Sequence, residues 1–437
     1  MTALQTSVRQ ARFGMAQPTR ASVVVAAIVL VLLGMRQPLA QGITVGTLAA
    51  AITFPMWWPS VNRFRGARLF FVTGSACIPA GLWLTLVSSS DHQVKPWGPV
   101  GPVMLFIGLL LGVGVILWAR ERMRDSHVAF CVGLGMLLGV SPDSESYLLN
   151  PWKFGFGTAL TIIVLAIAQR SGKRWLEVLV IVALIGASTI NDARSAFAIF
   201  VIVLVIALVQ LRPQNLSRRA STIRLLLALT AIGAVVFNVG QTLVLDGYLG
   251  DAARDRSVAQ IESSGSILLG GRPEIAATIA LMIDRPLGFG PGVVPSLSDI
   301  TTAKTGMASI GYQPNNGYVE GYMFGGNFEL HSVIGDLWAT YGIVGIAFAV
   351  VIAFIVARGL IDALARNAAH ALLLYLVVRG FWNLLFSPLY GSLLLLMLLV
   401  GLVVVPRGDG LERHPRPTRY RSPTHPRFRG RAMREHV

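Results

Sequence analysis

One histidine and four arginines stand where solubility alone does not explain charge. His331 immediately precedes an apolar run, Arg272 follows Gly270-Gly271, and Arg285 opens a glycine-rich turn that continues through Gly288, Gly290 and Gly292. Arg194 lies just past a tight turn at 188–192. Arg379 sits inside an apolar run, about seven residues or ~10 Å of helix from its end at Phe386. A neutral imidazole can take a proton near pH 7, because the unperturbed group titrates at ~6.5. Guanidiniums grip phosphate oxygens in pairs and offset the charge of a departing phosphate. This set of groups suits transfer of a group from a phosphorylated donor to an activated hydroxyl.

The elements that must position these residues are apolar. The chain is 54% hydrophobic and 13% charged, with a mean hydropathy of +0.64, which is too apolar for a soluble domain. Twelve apolar runs predict helices: 21–35, 37–59, 69–88, 100–119, 127–140, 154–169, 175–190, 195–211, 223–245, 335–357, 369–386 and 390–405. They are continuous rather than alternating, so helices are expected and barrel strands are not. The fold class expected is an all-α polytopic membrane protein with about twelve transmembrane helices. The first run is short, and Pro38 fits a cleavage site poorly, so a retained anchor is expected.

Most of the 37 Lys and Arg residues fall on one side if the N-terminus is cytoplasmic. Both termini are then inside, with segment 1–20 cytoplasmic, helices one to nine within 21–245, and helices ten to twelve within 335–405. The long polar stretch 246–334, expected to hold short helices, faces outward between helices nine and ten. It carries Arg272 and Arg285 and hands His331 to the next helix, as a lid over the membrane surface would. The tail 406–437 is rich in Arg and Pro and predicts a disordered segment against anionic lipid rather than a nucleic-acid binder. Cys77 and Cys131 lie in separate apolar runs, so no disulfide is expected.

Outside a cell there is no nucleotide sugar, so a transferase there needs a donor already activated, typically on a lipid pyrophosphate. Arg194 would lie in the first turn of its helix, capped by Asn191 or Asp192. The glycines at 288 and 290 would let backbone N–H groups approach a ligand. Asp336 and Trp338 follow His331, and 313–318 offers amides and aromatic surface for a sugar. No Asp-x-Asp pair occurs in the outward loops, so neither a metal nor another cofactor is expected. Asp91, His92, Asp143 and Glu145 are expected to be solvated loop residues.

The order Arg194 after a tight turn, Gly271-Arg272, Pro286-Leu287-Gly288-Phe289-Gly290, then His331 with Gly342-Ile343-Val344-Gly345 behind it resembles the O-antigen ligase and polymerase family. The resemblance runs from about Phe154 to Ala357. It implies a metal-independent, inverting glycosyltransferase of the cytoplasmic membrane, with its active site outward. The implied donor is a glycan on undecaprenyl pyrophosphate, and the implied acceptor is a glycan or glycolipid. His331 would be the catalytic base, Arg194, Arg272 and Arg285 the pyrophosphate ligands, and Arg379, Asp336, Gly288 and Gly290 their support. Where the family has His-Asn this chain has His331-Ser332, and its usual Ser-Arg is Ala193-Arg194 here. The rival reading is a polysaccharide or lipid flippase, although no internal repeat is evident and the charges avoid the midplane. A non-catalytic scaffold of envelope assembly is a third.

Overall fold

The computed structural model describes residues 18–211 and 271–407, together with Thr242, Leu245, Arg254, Asp255, Ser257, Val258 and Ile261. Apart from Thr242 and Leu245, the predicted run 223–245 lies outside the described residues, as do most of 246–270 and the basic tail beyond Arg407. Fifteen α-helices and one small hairpin occur among those described. In chain order the helices are α1 (Arg20–Met35), α2 (Val45–Ile52), α3 (Phe54–Val61), α4 (Ala67–Ser88), α5 (Val100–Arg122), α6 (Asp125–Leu138), α7 (Glu145–Leu149), α8 (Gly157–Ser171), α9 (Arg174–Ile190) and α10 (Arg194–Leu211). Beyond the long polar stretch come α11 (Glu274–Asp284), α12 (Leu297–Ala308), α13 (Val333–Ala365), α14 (Ala371–Phe386) and α15 (Leu389–Val403).

This is the architecture of an all-α membrane protein. Among the described residues, five helical segments are long and apolar enough to cross a bilayer: Ala67–Ser88, Val100–Arg122, Pro151–Ser171, Arg194–Leu211 and Val333–Ala365. Helices α1, α6, α14 and α15 are shorter but equally apolar. The run at 37–59 is not a single helix, because its punctuation outweighs its hydropathy. Pro38–Ala40 and Ile43–Thr44 form a hairpin whose two turn residues, Gln41 (φ 41°) and Gly42 (φ 81°), are both left-handed, as a tight hairpin turn demands. Thr53 then separates α2 from α3, where Pro55 in the first turn of α3 cannot continue the preceding hydrogen-bond ladder.

Helix α13 packs on α4, α14 and α15, α5 packs on α15, and α10 packs on α9 and α14. Phe70, Phe106, Tyr341 and Phe348 interlock at the centre with centroid separations of 4.6–5.4 Å. A second apolar cluster lies beneath the polar stretch, built on Ala277, Leu281, Phe289, Met307, Met323 and Leu330 and continuing into Trp338 of α13. The described part of that stretch is therefore a cap with a core of its own.

Charge at the end away from this cap ties helix ends together. Arg120 bonds Asp125 and the carbonyls of Gly401 and Val404, while buried Glu177 accepts from Ala371 N and faces His370. A cavity of about 350 Å³ lies there, lined by Phe64, Arg120 and Val403, and remote from His331.

Candidate functional site

Three anchors hold His331 in place. Its Nδ1 lies 3.1 Å from the Glu329 carbonyl. A carbonyl only accepts, so Nδ1 carries the proton in the neutral ring and Nε2 is left with its lone pair. On one side Leu330 N donates to Asp336 Oδ1 at 2.7 Å, and on the other Ser332 Oγ donates to the Leu384 carbonyl at 3.0 Å. Asp336 Oδ2 accepts from Leu389 N at 2.7 Å. Asp336 therefore spends both oxygens clamping the His331 loop and the start of α15 to the first turn of α13. His331 has φ 53°, a left-handed value that costs a non-glycine residue ~1–2 kcal/mol and persists only where its surroundings dictate it.

The imidazole packs on two tyrosines that a short π turn, Val319–Met323, brings to one side. Tyr322 stacks on His331 at 4.9 Å and 23°, and Tyr318 lies 6.2 Å from His331 and 5.3 Å from Tyr322. The Tyr318 hydroxyl donates to Glu274 Oε1. Burial and then the Glu274 charge push the Tyr318 phenol well above its ordinary range, so it keeps its proton. Glu274 is 5% exposed, and its Oε2 has no hydrogen-bond partner among the described residues.

Arginines gather on one stripe of α14. Tyr375, Arg379, Trp382 and Phe386 recur at i, i+4, i+7 and i+11, which puts them on one face. Arg272 lies over both Trp382 (5.6 Å) and Phe386 (5.9 Å). Arg379 is one turn below, with its Nε buried and unpartnered among the described residues, as is Oδ1 of the adjacent Asn383. Arg194 heads α10, and its NH1 lies 3.4 Å from Ser257 Oγ. Arg174, at the start of α9, bonds the carbonyls of Asn367 and Ala369 just before α14, so α9 runs parallel to α14 and α10 returns antiparallel. Phe200 of α10 stacks on Tyr375 at 5.4 Å. At 1.5 Å per residue, Arg194 and Arg379 lie ~9 and ~6 Å beyond that pair in the same direction. Two expected arginines and one supporting arginine thus converge on the end of α14 to which the His331 loop is docked.

No known family model matches the chain, and no curated protein matches it.

Arg285 is elsewhere. It forms a two-pronged pair with Asp91 at 2.6 and 3.3 Å, donates to Ser88 Oγ at 3.0 Å and to the Gly288 carbonyl at 3.1 Å, and covers Phe289 at 5.2 Å. Its charge locks the cap to the end of α4. Asp91 and His92 are therefore not simply solvated: His92 bridges Asp91 at 2.8 Å and Asp299 at 2.9 Å, and Asp299 also closes the capping box of α12. Arg285 holds the Asp91 carboxyl well below its ordinary range. A depressed carboxylate pKa gives stability that is complete above the unfolded value of ~3.9 and drains away as pH falls below it. With the Asp91 side chain 51% exposed, screening limits the effect to ≤ ~1 kcal/mol. Asp91→Asn is expected to lower the melting temperature slightly at pH 7 and not at all in strong acid, as read by thermal scans at both pH values.

Gly288 and Gly290 are consumed by packing rather than offered to a ligand. Gly342 (φ 64°, ψ −145°) breaks the ladder of α13 and frees the Ala339 carbonyl, which accepts from both Phe289 N and Gly290 N at 2.9 Å. A Cβ at Gly288 would sit 2.4 Å from the Trp338 carbonyl, and one at Gly290 would sit 2.4 Å from Thr85 N. Gly290 also has φ 105°. Gly290→Ala is expected to destabilise by ~2–4 kcal/mol through backbone strain plus overlap. Gly172→Ala, at φ 71° with open space around it, should cost only the strain. Urea unfolding in detergent would rank the two.

Asn191 closes α9, its side-chain Nδ2 donating to the Ala187 carbonyl at 2.8 Å. Glu274, Tyr322, Trp382 and Asn383 escaped the sequence reading. The Arg379, Trp382, Asn383, Phe386 spacing was a usable signal for two of them, whereas Glu274 and Tyr322 depend on tertiary contact and a π turn.

Proposed function

We propose that the protein transfers a glycan from undecaprenyl pyrophosphate to a hydroxyl of an acceptor glycan or glycolipid, on the outward face of a cytoplasmic membrane. In this reading the chain crosses the bilayer about twelve times with both termini inside, and the cap 271–330 sits outside. The observation that carries it is the Nδ1–Glu329 lock, which leaves His331 Nε2 as a base beside an arginine-lined helix face.

The chemistry is a single displacement. Acceptor oxygen attacks the anomeric carbon, a C–O bond forms, the bond from that carbon to the pyrophosphate oxygen breaks, and the acceptor proton passes to His331 Nε2. Undecaprenyl pyrophosphate leaves with the bonding electron pair. Its charge is high already, so fixed cations help more than a proton donor would. Arg272 and Arg379 supply them along α14, with Arg194 at the same depth on α10. Arg285, paired to Asp91, acts through the position of the cap. Attack from the back side inverts the anomeric centre. The resemblance to O-antigen ligases and polymerases in residue order points the same way.

A flippase reading draws on one observation, the Arg379 Nε that has no partner among the described residues, within an apolar helix. Purified protein in liposomes loaded with lipid-linked glycan and acceptor separates the two. Glycan transfer is expected; translocation of the lipid without transfer would favour the flippase.

A further inference from the structure

Most of the large exposed hydrophobic side chains, such as Trp83, Val72 and Phe354, lie on the apolar helices, the surface that a bilayer would cover. Tyr322 does not. It is 62% exposed on the cap, surrounded along the chain by exposed Asn315, Asn316, Glu320 and Asn327. An aromatic face among planar amides and a carboxylate is the surface that a pyranose recognises, with its C–H face on the ring and its hydroxyls on the polar rim.

This surface is braced before any ligand arrives. Lys304 Nζ bonds Asn315 Oδ1 at 3.0 Å and pairs with Glu320. Asn316 accepts from Tyr318 N at 3.0 Å and donates to the Tyr312 hydroxyl at 2.9 Å. The Tyr318 ring is held at its backbone by Asn316 and at its hydroxyl by buried Glu274, and it packs on Tyr322. A braced surface loses little entropy on binding. Tyr322 packs one face on His331, so a sugar seated on its free face lies across the ring from the imidazole, as an outer unit of an acceptor glycan would.

We infer that Tyr322, buttressed by Tyr318 and Glu274, is the platform on which the acceptor's sugar ring stacks. The inference rests on the transfer reading for the word acceptor, while saccharide binding at Tyr322 stands independently of it. Saturation-transfer NMR on the full-length protein in nanodiscs, with methyl β-glucoside and methyl β-galactoside as probes, tests it. Wild-type protein is expected to saturate the C–H protons of one pyranose face. Tyr322→Ala should weaken binding about tenfold, Tyr322→Trp should retain it, and Tyr322→Leu should not. No signal on wild-type protein, or equal signals on wild type and Tyr322→Ala, overturns the inference. Equal binding by Tyr322→Leu also overturns it, since that is how a residue merely anchored in lipid would behave. Glycoside binding at Tyr322 without any glycan transfer would sink the transfer reading and leave this one standing. Transfer in which Tyr322→Ala keeps the acceptor KM would do the reverse.

Discussion

His331→Asn is expected to lower kcat for glycan transfer by about 10²- to 10⁴-fold, the usual contribution of a positioned general base. Asparagine is the informative replacement because it tolerates the left-handed backbone at φ 53° better than most residues. Its amide can still donate to the Glu329 carbonyl as Nδ1 does now. The loop tied down by Asp336 and Ser332 should keep its shape, so the melting temperature should stay within a degree or two of wild type. What disappears is the lone pair on Nε2. Single-turnover kinetics with donor prebound should place the loss in the chemical step, with donor affinity unchanged. A variant that transfers at the wild-type rate would remove His331 from the mechanism.

The second large effect belongs to the arginine stripe. Arg272→Ala is expected to cost about 10²- to 10³-fold in kcat/KM, the scale of losing one preorganised group that stabilises developing charge. Lysine should restore little of it, because Arg272 lies over Trp382 and Phe386 and a flat guanidinium stacks where an ammonium does not. Arg379→Leu should separate function from stability. Its Nε is buried with no partner among the described residues, so leucine removes a desolvation cost and should raise the melting temperature. Activity should nevertheless fall about as far as for Arg272→Ala. A residue kept for stability would show the opposite pairing, and thermal scans beside initial rates would read it.

Some of this was legible in the chain alone. The apolar runs at 69–88, 100–119 and 195–211 appear as α4, α5 and α10 within a few residues, because 195–211 has no proline or glycine punctuation and the long apolar runs at 69–88 and 100–119 carry the helix through Pro79 and their isolated glycines. The run at 37–59 carried such punctuation at Pro38, Gly42, Pro55 and Pro59, and its hydropathy hid the hairpin. Arg194, Arg272 and Arg379 are brought toward one end of α14, and an i, i+4, i+7 spacing on that helix foreshadowed the stripe. Arg285 could not be separated from them by sequence, since its partner Asp91 is almost two hundred residues away and only tertiary packing reveals the pair. Gly288 and Gly290 read equally well as an anion cradle or a tight contact. The kink at Gly342 decides for contact, because it frees the Ala339 carbonyl that takes up the N–H groups of Phe289 and Gly290, while the Gly288 N–H goes to the Arg285 carbonyl.

The anomeric configuration of the product bond, measured together with the lipid released, tests single displacement with His331 as base most directly. Purified protein in liposomes, given a glycan on undecaprenyl pyrophosphate and an acceptor glycolipid, is expected to form a glycosidic bond of inverted configuration. One undecaprenyl pyrophosphate should be freed for each bond formed, and His331→Asn should abolish both signals together. Retention of configuration, or bond formation that is indifferent to His331, would contradict the account.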